Sequence, residues 1–212
     1  MSSSSRIGVL ASGRGSNLQA LVDANVGVEL LVCNIPGAFA IERAQKAKIP
    51  VEIIDHTKFS KRAEFDAAIV SALKKHRIDL VCLAGFMRIC GAPLLEAYPG
   101  KILNIHPSLL PSFPGLHALG QAIKAGVKIS GATVHFVDAG TDTGPILIQA
   151  AVPVLPGDDE DALGDRIVLA EHKIYPEAVR LVTSGRAKLD GRRVLLDGSL
   201  SAQSPLYNPP LT

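Results

Sequence analysis

Short apolar runs of strand length alternate with longer stretches of helical spacing through most of this chain. Ile7–Ala11 is the first such run, and Leu18, Leu21 and Val22 follow it at helical spacing. Residues 29–33, 51–54 and 79–85 repeat the strand pattern. Between them, residues 38–47 and 60–76 read as helices, the second with Phe65, Ile69, Ala72 and Leu73 on one face. Ile102, Leu103 and Ile105, then residues 131–138 and 146–152, add three further strands around a short helix at Ala118–Ala125. A long helix is expected from Asp158, with an acidic first turn that suits the helix dipole. Leu163, Ile167, Ala170 and Ile174 form its core stripe, and Pro176 should kink or restart it. Residues 188–195 read as a hairpin turning at Asp190-Gly191, and residues 199–212 as a loosely ordered tail. Strands and helices alternating in this way predict an α/β fold.

Composition narrows the class. At 212 residues, 47% apolar and 20% charged, the chain reads as one domain over residues 1–212 with a sizeable core, residues 184–212 being its hairpin and tail. A net charge of +2, dispersed along the sequence, gives no footprint of nucleic-acid binding. Cys33, Cys82 and Cys90 are odd in number and widely spaced, and no CxxC or HExxH spacing suggests a metal. Cys33 and Cys82 sit in apolar runs, as buried free thiols do. Residues 1–5 lack the apolar core of a signal peptide, and no run approaches membrane-spanning length. The expectation is a soluble cytoplasmic protein without membrane or nucleic-acid partners.

The candidate chemistry centres on Asn104 and His106. Two apart in a strand, they point to the same face, and Pro107 ends the ladder just beyond them. Ligands of open α/β sheets bind at such C-terminal strand ends. An amide donor beside a proton carrier suits a carbonyl carbon under attack. Asp142, 36 residues after His106, could orient the imidazole, although an Asx-turn role is the plainer reading. His135 reads more readily as a structural hydrogen-bonder than as a catalyst, and His56 as a solvated loop residue.

Upstream, the first strand runs into Ser12-Gly13-Arg14-Gly15-Ser16-Asn17 and then a helix, with Ser16 or Asn17 as its cap. The amides of such a loop can cradle a phosphate. The third glycine of GxGxxG is missing, and Asn34 ends the second strand where a ribose-binding carboxylate would be wanted, so a phosphomonoester is preferred to a dinucleotide. Arg88 emerges at a strand end beside the expected crevice, where it could close on phosphate or carboxylate, with Met87 and Ile89 walling an apolar slot. Glu171 lies next to the stripe of the long helix and could reach a ligand or simply solvent.

Five stretches then acquire a collective meaning. They are residues 11–20, Leu83-Ala84-Gly85-Phe86-Met87-Arg88, Asn104-Ile105-His106-Pro107-Ser108-Leu109-Leu110-Pro111, Asp142-Thr143-Gly144-Pro145 and Glu171-His172-Lys173-Ile174-Tyr175-Pro176. Together they resemble the folate-dependent formyltransferase family, and within it the glycinamide ribonucleotide branch, over roughly residues 6–183. The resemblance implies a Rossmann-like fold, a mostly parallel twisted sheet with helices on both faces. It implies 10-formyltetrahydrofolate as co-substrate, glycinamide ribonucleotide as acceptor, and no metal. Asn104, His106 and Asp142 match the catalytic positions. Gly13, Gly15, Ser16 and Asn17 match the phosphate loop, Glu171 the ribose-holding residue, and Pro107 is added to the nucleotide side. Arg62, Met87, Arg88, Ile89 and Cys90, with Asn104, Ala139, Gly140, Thr141 and Asp142, correspond to the folate cleft. Two departures stand out: Ser112 replaces a Lys found in some relatives, and Cys90 replaces a larger aliphatic residue.

The chemistry implied is direct acyl transfer, with Asn104 and His106 stabilising the oxyanion and Asp142 assisting proton transfer. The alternatives are a 10-formyltetrahydrofolate hydrolase and a non-catalytic nucleotide-binding protein. A tRNA-directed formyltransferase would need a further RNA-binding domain, for which the expected single domain has no room. A homodimer is compatible with the sequence, which does not fix the oligomeric state.

Overall fold

The computed structural model describes residues 5–197, so the expected loose tail lies outside the described residues. Seven strands form the main sheet: β1 (Ile7–Ala11), β2 (Val28–Cys33), β3 (Val51–Ile53), β4 (Leu80–Leu83), β5 (Ile102–His106), β6 (Ile129–Phe136) and β7 (Ile146–Pro153). Their order is β3-β2-β1-β4-β5-β6-β7. The first five run parallel, and β6 and β7 are antiparallel to their neighbours. The fold is therefore the mostly parallel α/β architecture expected. From β1 the chain winds outward to β3 and then returns to β4 on the other side of β1. That reversal opens a crevice at the carboxyl ends of β1 and β4, the usual ligand position in such sheets.

The central strands β1 and β4 are buried along their whole length, which is why they read as unbroken apolar runs. One face is covered by α1 (Ser16–Asp23), α2 (Phe39–Lys46) and α6 (Glu160–Thr183), through Leu18, Leu21, Ala40, Tyr175 and Val179. The other is covered by α3 (Arg62–Lys75) and α4 (Ala92–Ala97), through Phe65, Ile69, Leu73 and Leu94. A third apolar group, with Ala122, Ala132, Leu163 and Ile167, joins α5 (Ala118–Ala125) and α6 to β6 and β7. A separate hairpin, β8 (Ala187–Asp190) with β9 (Arg193–Leu196), follows α6.

Four local expectations change. Helix α4 lies in a stretch where the periodicity predicted nothing; its six residues are too few for a periodic stripe, and a proline in its first turn is its start signal. Helix α6 runs unbroken through Pro176. The missing Pro176 N–H removes one backbone bond, but Glu171, Tyr175, Ala178 and Val179 are buried on either side of it, and that packing holds the helix together. The cap of α1 is Gly15, in the left-handed conformation at φ 70°, and Ser16 and Asn17 are its first two residues. The hairpin pairs Asp190 with Arg193, so Gly191-Arg192 forms the two-residue turn.

All three cysteines are free and buried, and burial pushes the Cys82 and Cys90 thiols up to about 12. No helix among the described residues is long and apolar enough to cross a membrane.

Candidate active site

Strand β5 delivers Asn104 and His106 to one face, as the alternation required, and the loop between β6 and β7 brings Asp142 over them. That loop passes close against β6: a Cβ at Gly144 would run into the Phe136 carbonyl, so only glycine lets the chain take this path. Asp142 itself adopts φ 55°, a left-handed conformation that Asp tolerates better than most residues. Its carboxylate becomes the hub of a cluster. Oδ2 accepts the Gly115 amide at 2.7 Å and lies 3.3 Å from His106 Nδ1. Oδ1 accepts Asn104 Nδ2 at 3.4 Å and lies 3.6 Å from His135 Nε2, too far for a hydrogen bond. The His135 contact and the Gly115 amide, with the charges of His106 and His135, hold this carboxyl below the usual carboxylate range against the opposing effect of burial. Asp142 is thus an anion at neutral pH.

The two rings are oriented by opposite means. His106 Nε2 donates to the Phe113 carbonyl at 2.8 Å while Nδ1 faces Asp142; both partners are acceptors, so the doubly protonated ring satisfies both. His135 pairs with Asn104 across the β5–β6 ladder. Its Nδ1 donates to the Phe136 carbonyl at 2.9 Å, and its Nε2 lies 3.1 Å from Asn104 Nδ2. His135 is therefore the buried hydrogen-bonder that the sequence favoured, and its contact at 3.1 Å helps fix the Asn104 amide.

The glycine loop after β1 sits at the topological crevice. Ser16, Asn17 and Leu18 begin α1, so their amides have no helical acceptor and point outward from a positive helix end. Asn17 is buried and donates to Glu171 Oε2 at 2.8 Å. Glu171 is only 6% exposed, which removes the solvent-facing alternative; burial pushes its carboxyl up, and the Asn17 bond offsets part of that. The glycine loop and the long helix are thereby tied through two side chains 154 residues apart.

The residues matched to a folate cleft divide. Met87, Arg88 and Ile89 are exposed after β4, Met87 at 62%, and Ala139, Gly140 and Thr141 are exposed in the loop that carries Asp142. Cys90 instead turns into the core beneath them. Arg62 is exposed and pairs with the buried Asp66 at 3.7 Å, and Asp66 in turn accepts the Gly91 amide at 2.8 Å. Pro107 is half-buried just beyond the β5 ladder. Among the described residues, no group of three or more His, Cys, Asp or Glu side chains is placed to hold a metal.

The family model described as formyl transferase matches residues 5–179. This chain belongs to the formyl transferase family. It is 50% identical over 190 residues to the trifunctional purine biosynthetic protein adenosine-3 of Drosophila melanogaster, covering 86% of this chain but 14% of that protein's length. It is 45% identical to the phosphoribosylglycinamide formyltransferase of Bacillus subtilis, covering 82% of this chain and 93% of that one. Among solved structures, glycinamide ribonucleotide transformylase 1 from Symbiobacterium toebii superposes with a TM-score of 0.89 at 50% identity, covering 90% of this chain and 93% of the other.

Three residues of this chain shape the site through contacts that the sequence did not announce. Ser12 receives the Met87 amide at 2.8 Å and donates to Asn34 at 2.6 Å, joining the glycine loop to the exposed loop after β4. Asn34 also lies 3.2 Å from His56 Nδ1, so His56 is held by the fold and is not the solvated residue expected. Thr133 donates to the Ser108 carbonyl at 2.7 Å and accepts the Leu110 amide at 3.0 Å, fixing the proline-rich loop after His106. Each is a small polar residue, Ser12 and Asn34 just past strand ends and Thr133 inside β6, and none announces its partner in the sequence. Buried position is the missing signal.

Proposed function

We propose that the chain transfers the formyl group of 10-formyltetrahydrofolate to the amine of glycinamide ribonucleotide, giving formylglycinamide ribonucleotide and tetrahydrofolate, in cytoplasmic de novo purine biosynthesis. The observation that carries this reading is the Asp142 carboxylate, ionised and reaching both His106 and Asn104 at the end of β5.

In this reading the neutral amine adds to the formyl carbon. The oxyanion that develops takes the place of Asp142 at the Asn104 amide, whose 3.4 Å bond to Asp142 is weaker than its 3.1 Å bond to His135. His106 supplies the positive charge, and its Nε2–H reaches the oxyanion once the bond to the Phe113 carbonyl opens. Asp142 accepts the amine's proton through a water. The oxyanion then re-forms the carbonyl as the bond from the formyl carbon to N10 breaks, and Asp142 returns the proton, through the same water, to N10 as it leaves. No covalent enzyme intermediate and no metal enter this sequence.

Gly13, Gly15, Ser16 and Asn17 hold the nucleotide phosphate, Glu171 its ribose, and Pro107 borders it. Arg62, Met87, Arg88, Ile89 and residues 139–142 bound the folate, with the Cys90 side chain filling the floor beneath. All these residues belong to one chain, so a homodimer is not required to assemble the site. The deciding experiment is a steady-state assay comparing glycinamide ribonucleotide with water as formyl acceptor. Formyl release that ignores the ribonucleotide would make the chain a hydrolase, and no turnover with either acceptor would make it a binding protein.

A further inference from the structure

Resting on the assignment of the glycine loop to the nucleotide phosphate, we propose that Arg43 is a positioning residue for that phosphate. It acts from behind the loop, by fixing the peptide between Arg14 and Gly15.

Arg43 lies in α2, with its guanidinium 4.9 Å from the centre of the Phe39 ring. Its Nε donates to the Arg14 carbonyl at 3.0 Å, and Nη1 reaches Gln19 of α1 at 3.3 Å. One residue earlier in the loop, the Gly13 carbonyl accepts the Ala40 amide of the same helix at 3.0 Å. Two successive loop carbonyls therefore point toward α2. A trans peptide is planar, and its N–H points opposite to its C=O. The amides of Arg14 and Gly15 must then point away from α2, and neither has a partner among the described residues. The next amides, at the start of α1, are unpaired because they begin a helix. Orienting the two loop peptides thus extends the row of free amides backward from the helix end.

Contact geometry makes α2 the wall that sets this orientation. A Cβ at Gly15 would meet Ala40 Cα and Cβ at 2.8 Å, so loop backbone and helix backbone are already in contact. Ala40 contributes a backbone amide, which a side-chain change leaves in place. Arg43 is the side chain on which the orientation of the second peptide depends. Its role needs an N–H at the Nε position. Its charge and the outer guanidinium nitrogens are not required.

That distinction supplies the test. In Gln, Nε2 is as many bonds from Cα as Nε is in Arg, so Arg43→Gln keeps a donor and loses the charge. Arg43→Met reaches as far as the Nε position and has neither donor nor charge, and, like Gln, it lacks the guanidinium over Phe39. Wild-type turnover with glycinamide ribonucleotide is measured first, and its absence would defeat the functional reading without bearing on Arg43. Given turnover, KM for the ribonucleotide should rise about tenfold in Arg43→Met, the worth of one hydrogen bond. In Arg43→Gln it should stay near the wild-type value. KM for 10-formyltetrahydrofolate and kcat should be unchanged in both, and both should melt near the wild-type temperature. Equal rises in the two variants would make Arg43 a charge effect and overturn the proposal. So would no rise in either, or a Met variant that fails to fold.

Discussion

The glycine loop and the Asp142 cluster lie in the same sheet and are built in opposite ways. The loop offers backbone amides, and its side chains matter mainly by what they leave open: Gly15 has φ 70°, and α2 packs directly against it. The cluster is built mainly of side chains: three of them, with the Gly115 backbone amide, converge from three segments on one carboxylate. A backbone site fails when the chain path changes, and it loses affinity. A side-chain site fails when one functional group changes, and it loses rate while keeping its shape. The two regions should therefore separate in kinetics, KM for one substrate against kcat.

The largest effect is expected at Asp142. Asp142→Asn keeps the volume and can still accept the Gly115 amide, but removes the charge beside His106 and the proton acceptor. kcat should fall by about 10²–10⁴, the usual worth of general acid–base help, with folate affinity retained in direct binding. Turnover near wild type would reduce Asp142 to a residue of the loop. The ionised carboxylate also contributes to stability. Its folded pKa lies below the ordinary value, so that contribution is present above the unfolded pKa and is lost as pH falls through the folded one. Wild type should accordingly lose more of its melting temperature than Asp142→Asn on acidification below the ordinary carboxylate range.

Next come the two residues of β5, which pH can tell apart. Asn104→Ala deletes an oxyanion donor and should lower kcat/KM by about 10²–10³ across the whole pH profile. His106→Asn should lower it and also remove or displace the basic limb, because it exchanges an ionisable ring for an amide. Superimposable profiles, with the wild-type basic limb intact in His106→Asn, would return His106 to a hydrogen-bonding platform and move the proton chemistry to Asp142 or His135.

Much of this contrast was legible in the sequence, for physical reasons. Strand alternation alone places Asn104 and His106 together, and the apolar runs of β1 and β4 announce strands buried on both faces. A glycine loop between a strand and a helix announces outward amides. What alternation does not give is the partner. Asp142 sits in a loop with no periodicity, and its position over β5 depends on Gly144 passing against β6. Asn17 and Glu171 carry no mark of each other across 154 residues. Pro176 misled because the local rule counts one lost hydrogen bond and not the packing on both sides of it. The helix cap misled similarly: Ser and Asn are strong caps, but here Asn17 has a buried partner and Gly15 supplies the left-handed turn.

The loop side of the comparison is sharpened by two glycines that look alike in sequence. Gly15→Ala must hold a side chain at φ 70° with its Cβ 2.8 Å from the Ala40 backbone. It should destabilise the fold by roughly 1–3 kcal/mol, lowering Tm by several degrees, and raise KM for the ribonucleotide. Gly13→Ala meets no described atom within 4 Å and has no positive φ, so its Tm should match wild type. Equal melting of the two variants would show that α2 does not brace the loop.

The smallest effect, and the one with an unexpected sign, concerns Glu171, where the two modes of construction meet: a buried side chain under a backbone site. Burial raises its folded pKa above the ordinary 4.5. A carboxyl with a raised folded pKa stabilises the fold fully below its unfolded pKa, and that contribution is lost as pH rises through the folded value. At neutral pH, well above the unfolded value, the Glu171 carboxyl is therefore a burden on stability. Glu171→Gln removes the charge, and its Oε1 can still accept the Asn17 amide at nearly the same place. The variant should melt above wild type at pH 7, by about 2–4 °C for each kcal/mol recovered in a chain of this size. The difference should shrink toward zero as pH is lowered past the unfolded pKa, where wild type is neutral as well. Over the same series, KM for the ribonucleotide should rise by about tenfold, because a neutral amide accepts ribose hydroxyls less strongly than a carboxylate. Calorimetric melting of both proteins at several pH values, beside initial rates at neutral pH, tests both halves. A lower Tm for Glu171→Gln at pH 7 would mean that the charge is well solvated or paired in the fold. A higher Tm with an unchanged KM would detach Glu171 from the ribonucleotide and leave it only as the brace of Asn17.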